Sequence, residues 1–299
     1  MAPGRNQFTE RLMLTVVGIG LVFIIVFGVF VAHGGSLEVI MHAAPAETAI
    51  ILGSAIAAMV AGNSMPVVKA TFGGFGTILK GPKFKKKDYL DSILLVSKIM
   101  KILKAEGGVA LEAHVEDPGS SAIFAEYPNL LKDHALIGLI TDSIRLLVVS
   151  SSPPKPDAIE DLMNLSIKTH HHDALVPAEN IAMLAGALPA LGIVACVLGV
   201  VKTMSSIDQP PAVLGALIGS ALVGTFLGVL LAYGVAEPLA NRLKQIINDE
   251  GQMYHVVKQI IVGTLNGHPI PVVIEAARVG ISHENQPSFS EVFDGLRGK

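Results

Sequence analysis

Four runs of apolar residues constrain this chain more than anything else in it. Residues 12–32 contain no ionisable side chain. Residues 48–62 are rich in Ala and Gly, and residues 181–201 and 212–236 are again free of charge. About 20 apolar residues at 1.5 Å each cross a hydrocarbon core about 30 Å thick. The runs therefore predict an all-α integral membrane protein with four transmembrane helices. The second run is the shortest, but its small residues suit close packing, so neighbouring helices could shield its ends. The first run has too long a core for a signal peptide, and no clean small-residue cleavage site follows it, so it reads as a retained span.

Lys and Arg give the orientation. Thirteen of the 22 lie between residues 63 and 180. Arg5 and Arg11 precede the first run, and most of the others follow residue 236. The segments 33–47 and 205–211 have none, and Lys202 is the one exception at the outer end of the third span. Positive charge stays inside. Both termini and the long loop are thus expected in the cytoplasm of a multi-pass inner-membrane protein. The expected divisions are 1–62 with spans one and two, a helical cytoplasmic domain at 63–180, spans three and four at 181–236, and a cytoplasmic helical tail at 237–299.

The long loop reads as helical. In residues 88–105, Leu90, Ile93, Leu94, Ile99 and Leu103 recur near helical spacing with lysines between them. Gly107-Gly108 is placed to end that helix. Residues 133–149 form a second amphipathic stretch, closed by the Ser- and Pro-rich residues 150–154, and 157–170 a third. A further helix, about 238–265, is expected to continue span four with a kink at Pro238.

Membrane carriers of protons usually bury Asp, Glu or His. Spans one, three and four hold none, and Glu47 is expected only at the outer mouth of span two. The polar groups inside are the hydroxyls of Thr15, Ser54, Ser220 and Thr225. A hydroxyl orients water or caps its own helix carbonyl, but holds no exchangeable proton at neutral pH. Any titrating acid is therefore expected from another chain. Pro189 interrupts span three, either as helix shape alone or as a hinge.

Other chemistries lack support. The net charge is −3 and no basic tract interleaves with aromatics, so nucleic acid is not expected. Cys196 is the single cysteine and lies in an apolar run. His170-His171-His172-Asp173 reads as a solvated loop, because consecutive helix residues share no face and no second ligand group is near; no metal or other cofactor is expected. The lysines at 80–87 read as a topology signal that could also meet anionic lipid heads. No phosphate loop, dinucleotide fingerprint or nucleophile elbow occurs, so no enzyme is expected.

Several segments, in order, resemble the MotA family of flagellar motor stator subunits. They are Gly34-Gly35-Ser36-Leu37, Ile123-Phe124-Ala125-Glu126-Tyr127-Pro128, Leu188-Pro189-Ala190-Leu191-Gly192-Ile193-Val194-Ala195, Leu214-Gly215-Ala216-Leu217-Ile218, Val223-Gly224-Thr225-Phe226-Leu227-Gly228, Leu265-Asn266-Gly267 and Gln286-Pro287-Ser288-Phe289. The resemblance implies a homo-oligomer, a pentamer around two copies of a single-span partner, MotB, that supplies the proton-binding aspartate. It implies that the cytoplasmic domain pushes on the rotor switch complex through charges, at Lys104, Glu112 and Asp142. The family commonly has Arg where Lys104 stands, so the charge is kept and the bidentate geometry lost. The family's two prolines map to Pro189 and Pro238, and its pore lining to Thr225. Sodium-driven relatives carry Thr at Cys196. A thiol is a poor ligand for a hard cation, so protons are the expected ion. The alternatives are a sodium-driven stator, a TolQ/ExbB-type energiser of envelope transport, which would have three spans, and a non-conducting scaffold.

Overall fold

The computed structural model describes residues 7–149 and 155–298, with side chains from residue 13 onward. Among these, every regular element is helical. In chain order they are α1 (Gln7–Ala32), α2 (Glu38–Gly62), α3 (Met65–Lys80), α4 (Lys86–Glu106), a short 3₁₀ turn (Gly108–Leu111), α5 (Glu112–Glu116), α6 (Ala122–Ala125), α7 (Pro128–Leu131), α8 (His134–Val149) and α9 (Pro156–Met204). There follow α10 (Pro211–Leu231), a π-helical turn (Ala232–Ala236), α11 (Glu237–Leu265), α12 (Ile270–Val279) and α13 (Phe289–Leu296). Four helices are long and apolar enough to cross a membrane: Met13–Ala32 within α1, α2, α9, and the α10–α11 run Pro211–Leu265. The all-helical, four-span expectation therefore holds. The closing segment expected at 150–154 lies outside the described residues.

Two expectations change. The third amphipathic stretch and span three are one helix, α9, of 49 residues. Pro177 and Pro189 lie inside it without ending it. Each proline removes one backbone bond, which a packed helix tolerates. The run 170–173 is consequently helical and not a loop.

The described residues form two packed units. One is built from the segments up to Gly81 and Leu175–Ile246, the other from Pro82–Ala174 and the chain after Ile247. In the first, α2 contributes a stripe at every fourth position: Ala43, Glu47, Ile51, Ala55 and Met59 are all buried. Leu188, Ala195, Val223 and Leu227 complete that core. The Phe27 ring meets Phe226 edge-on at 5.8 Å between centroids. Leu14, Ile24 and Ile25 of α1 remain exposed, as suits a helix facing lipid.

In the second unit α4 is central. Leu95, Val96, Ile99 and Met100 are at most 1% exposed, so the helix is covered on more than one face. The Asp88 carboxylate accepts from the Lys85 N–H at its start. Gly107, at φ +82°, ends it and donates to the Leu103 carbonyl, the left-handed stop that glycine adopts without strain. At the start of α13, Ser288 and Glu291 form a reciprocal capping box, and Glu291 also pairs with Lys86 at 2.8 Å.

Candidate functional site

Within the first unit, α9 and α10 meet through glycine. A Cβ on Gly192 would fall 2.7 Å from the Gly224 carbonyl oxygen and 3.0 Å from the Gly228 Cα. A Cβ on Gly228 would fall 2.7 Å from the Leu188 oxygen. Only glycine permits so close an approach of two backbones, which is how membrane helices gain packing without a hydrophobic driving force. The sequence-predicted positions collect on this seam. Pro189 follows Leu188, whose carbonyl faces Gly228. The Cys196 amide nitrogen is 3.0 Å from the Cβ position of Gly224, and Thr225 is the next residue on α10. Pro189, Cys196 and Thr225 are each half-buried.

Pro238 lies one residue into α11. Ahead of it, the Glu237 N–H donates to the Ala232 carbonyl, five residues back. The irregularity expected at Pro238 is thus this π-helical turn, which widens the ladder just before a residue that cannot donate.

Glu47 is placed differently from its expected position. α2 begins at Glu38, so Glu47 lies nine residues along it, about 14 Å at 1.5 Å per residue. It is 8% exposed and faces α10: a Cβ on Gly224 would stand 2.7 Å from its Oε2. The spans therefore do contain a buried acid. His42, Pro45 and Glu47 interrupt the apolar run and hid the first turns of the helix.

The three predicted charges of the long loop sit in the second unit. Lys104 is in the last turn of α4, and Glu112 is the first residue of α5. Both are exposed. Between them, fully buried Leu111 pins the 3₁₀ turn to the core. Neither makes an ion pair among the described residues. Asp142 is different. It holds Arg145 at 2.6 Å, and Arg145 also reaches Glu116 at 2.7 Å and the Val115 carbonyl at 3.1 Å. Arg145 thus ties α8 to α5 and fixes the platform from which Glu112 projects.

A second cluster had no signal in the sequence. Lys83, expected as part of a topology signal that could also meet anionic lipid heads, lies 2.6 Å from Asp133 and 3.7 Å from Glu250. The Tyr254 hydroxyl donates to Asp133, and the Leu136 N–H donates to the same oxygen. The Tyr254 ring packs on His170 at 4.7 Å. Burial pushes the Asp133 carboxyl up, but Lys83 and these donors outweigh it and hold the group below the usual carboxylate range. Among the described residues no three His, Cys, Asp or Glu side chains gather where they could hold a metal ion.

Comparison with known proteins bears on the family and the fold. Residues 16–107 match the motility protein A N-terminal family, and residues 135–255 match the MotA/TolQ/ExbB proton channel family. The chain is 39% identical over 285 residues to motility protein A of Salmonella typhimurium, covering 95% of each. It is 38% identical to motility protein A of Escherichia coli, again over 95% of each. It is 31% identical to the chemotaxis protein LafT of Vibrio parahaemolyticus, over 92% of this chain and 95% of that one. The fold is similar to that in the C. jejuni MotAB structure, with a TM-score of 0.69 at 20% identity over 91% of this chain and 96% of that one. It is also similar to the flagellar MotAB stator complex from Bacillus subtilis, with a TM-score of 0.64 at 23% identity over 87% and 92%.

Proposed function

The chain belongs to the motility protein A family, and from that membership we infer that it is a stator subunit of the flagellar motor, a multi-pass inner-membrane protein that couples proton flow to rotation. The observation that carries this is the likeness to motility protein A along almost the whole of both chains. It works as an oligomer with a MotB-type partner, as in the solved MotAB complexes.

Finer features follow as our reading. A pentamer of this chain surrounds two single-span partners, each bringing a proton-binding aspartate. Both termini and the second unit lie in the cytoplasm. Protonation of the partner's acid changes the packing along the α9–α10 seam at Cys196 and Thr225. Pro189 and Pro238, each lacking a backbone donor, are where helices bend at least cost. α9 and α11 supply residues to both units, so a shift at the seam has a covalent route to the loop charges. Lys104 and Glu112 then meet opposite charges on the rotor switch complex. Such contacts are weak singly and screened by salt, which permits engagement and release at each step. The ion is the proton, since the Cys196 thiol supplies no hard oxygen ligand for sodium.

The test is complementation of cells that lack their own copy of this subunit, with proton flux measured in membrane vesicles beside swimming. Flux and swimming that require a single-span, aspartate-bearing partner are expected. Flux that follows sodium instead would reassign the ion. Absence of flux with any partner would leave only a scaffold.

A further inference from the structure

α2 places one acid in the middle of an otherwise apolar stripe. Glu47 stands between Ala43 and Ile51, with Ala55 and Met59 beyond, all buried against the first unit's core. It is the only carboxylate buried in that unit among the described residues. Its Oε2 has no hydrogen-bond partner among them either. A buried carboxyl without a partner is costly, and in membrane proteins it marks an ion or proton path more often than a packing device. The surroundings leave it room. Glycine at 224 vacates the space that Oε2 fills, since a Cβ there would lie 2.7 Å away. Gly224 in turn lies against the Cys196 backbone and immediately precedes Thr225. Lys202 on α9 is a charge whose field reaches Glu47; α2 itself carries Glu38 and His42, whereas neither α1 from residue 13 nor α10 carries a charged residue.

We propose that Glu47 is a proton-holding site of the channel contributed by this chain, a relay at the α2–α10 crossing beside Thr225. The proposal rests on the conduction reading above and adds to it a second acid besides the partner's aspartate. The step is a simple transfer. A hydronium ion gives its proton to Glu47, forming an O–H bond and leaving water. Loss of that proton to the next water restores the carboxylate. Gly224 sets the space in which the carboxyl turns between the two.

The test uses the full chain purified with its single-span partner and reconstituted in lipid vesicles. Glu47→Gln keeps the shape but holds no exchangeable proton, so loss of most of the flux from an intact complex is expected. Glu47→Asp should retain flux with a shifted pH profile. Infrared difference spectra across the pH range should show a carboxyl band in the parent that Glu47→Gln lacks. Flux in Glu47→Gln equal to the parent's, with the band unchanged, overturns the proposal and leaves conduction standing. Absence of flux in the parent complex overturns the conduction reading and this proposal together. If Glu47→Gln does not assemble, Glu47→Asp decides: an unshifted pH profile overturns the proposal.

Discussion

Single side chains carry the sharpest consequences. Glu112 is exposed and without an ion-pair partner among the described residues, so its charge is available to something outside the chain. Reversal in Glu112→Lys should abolish or severely reduce swimming while membrane assembly and proton flux persist. Unchanged swimming would remove Glu112 from the rotor contact. Glu291 makes a pH statement. Its carboxyl accepts from Lys86 and from the Ser288 cap, which hold its pKa at about 2 against an ordinary 4.5. A folded value below the unfolded one means the stabilisation is complete above pH 4.5 and is lost as pH falls toward 2. Amide protection of α13, taken against the exchange of an unfolded chain at the same pH, should fall over that window, and Glu291→Gln should lower it at neutral pH as well. Lys83 differs again, because its partner Asp133 is 7% exposed while Lys83 itself is 45% exposed. Lys83→Met should cost about 1–2 kcal/mol, less than the several expected of a fully buried pair because solvent screens Lys83. Denaturant unfolding in detergent measures it. The loop charges could be read from the residues that resemble the family. The Lys83–Asp133 pair could not, since its members are 50 positions apart and no local period relates them.

Helices were legible where a polar face alternates with an apolar one. α4 and α8 start and stop within two residues of their expected ends, and Gly107 closes α4 with the positive φ its position required. α9 reads as two pieces in the sequence because the polar residues around His170-His171-His172-Asp173 and Glu179-Asn180 separate its amphipathic stretch from its apolar one. The glycine seam was invisible for another reason. Glycine contributes no apolar side chain to a periodic pattern, so nothing along α9 or α10 says which face is the contact. Three-dimensional proximity supplies that and gives a prediction. Gly228→Ala would force a methyl group to 2.7 Å from the Leu188 oxygen, so the helices must separate. A loss of about 1–3 kcal/mol is expected, as for overpacked cores. Gly215→Ala, which meets open space on the same helix, should change stability by no more than about 0.5 kcal/mol. Thermal unfolding of the two purified variants side by side tests the seam. Equal melting temperatures would refute it.

The division into two units, each gathered from separated stretches of chain, implies that conduction and force can be lost independently. The buried acid, the glycine seam and the half-buried Cys196 and Thr225 belong to the first unit. Lys104, Glu112 and the Asp142–Arg145–Glu116 network belong to the second. If the first unit conducts and the second delivers force, substitutions should sort by unit and not by chemistry. Thr225→Val should lower proton flux and rotation together, because rotation has no other energy source. Arg145→Ala should leave flux intact and reduce rotation, since Arg145 belongs to the second unit and its loss removes the tie that fixes α5 against α8. Combining the two should give the flux of Thr225→Val alone. A tethered-cell torque assay beside vesicle flux distinguishes these outcomes. Reduced flux in Arg145→Ala would mean that the second unit governs the channel, and force and conduction would then have to be treated as one cooperative transition.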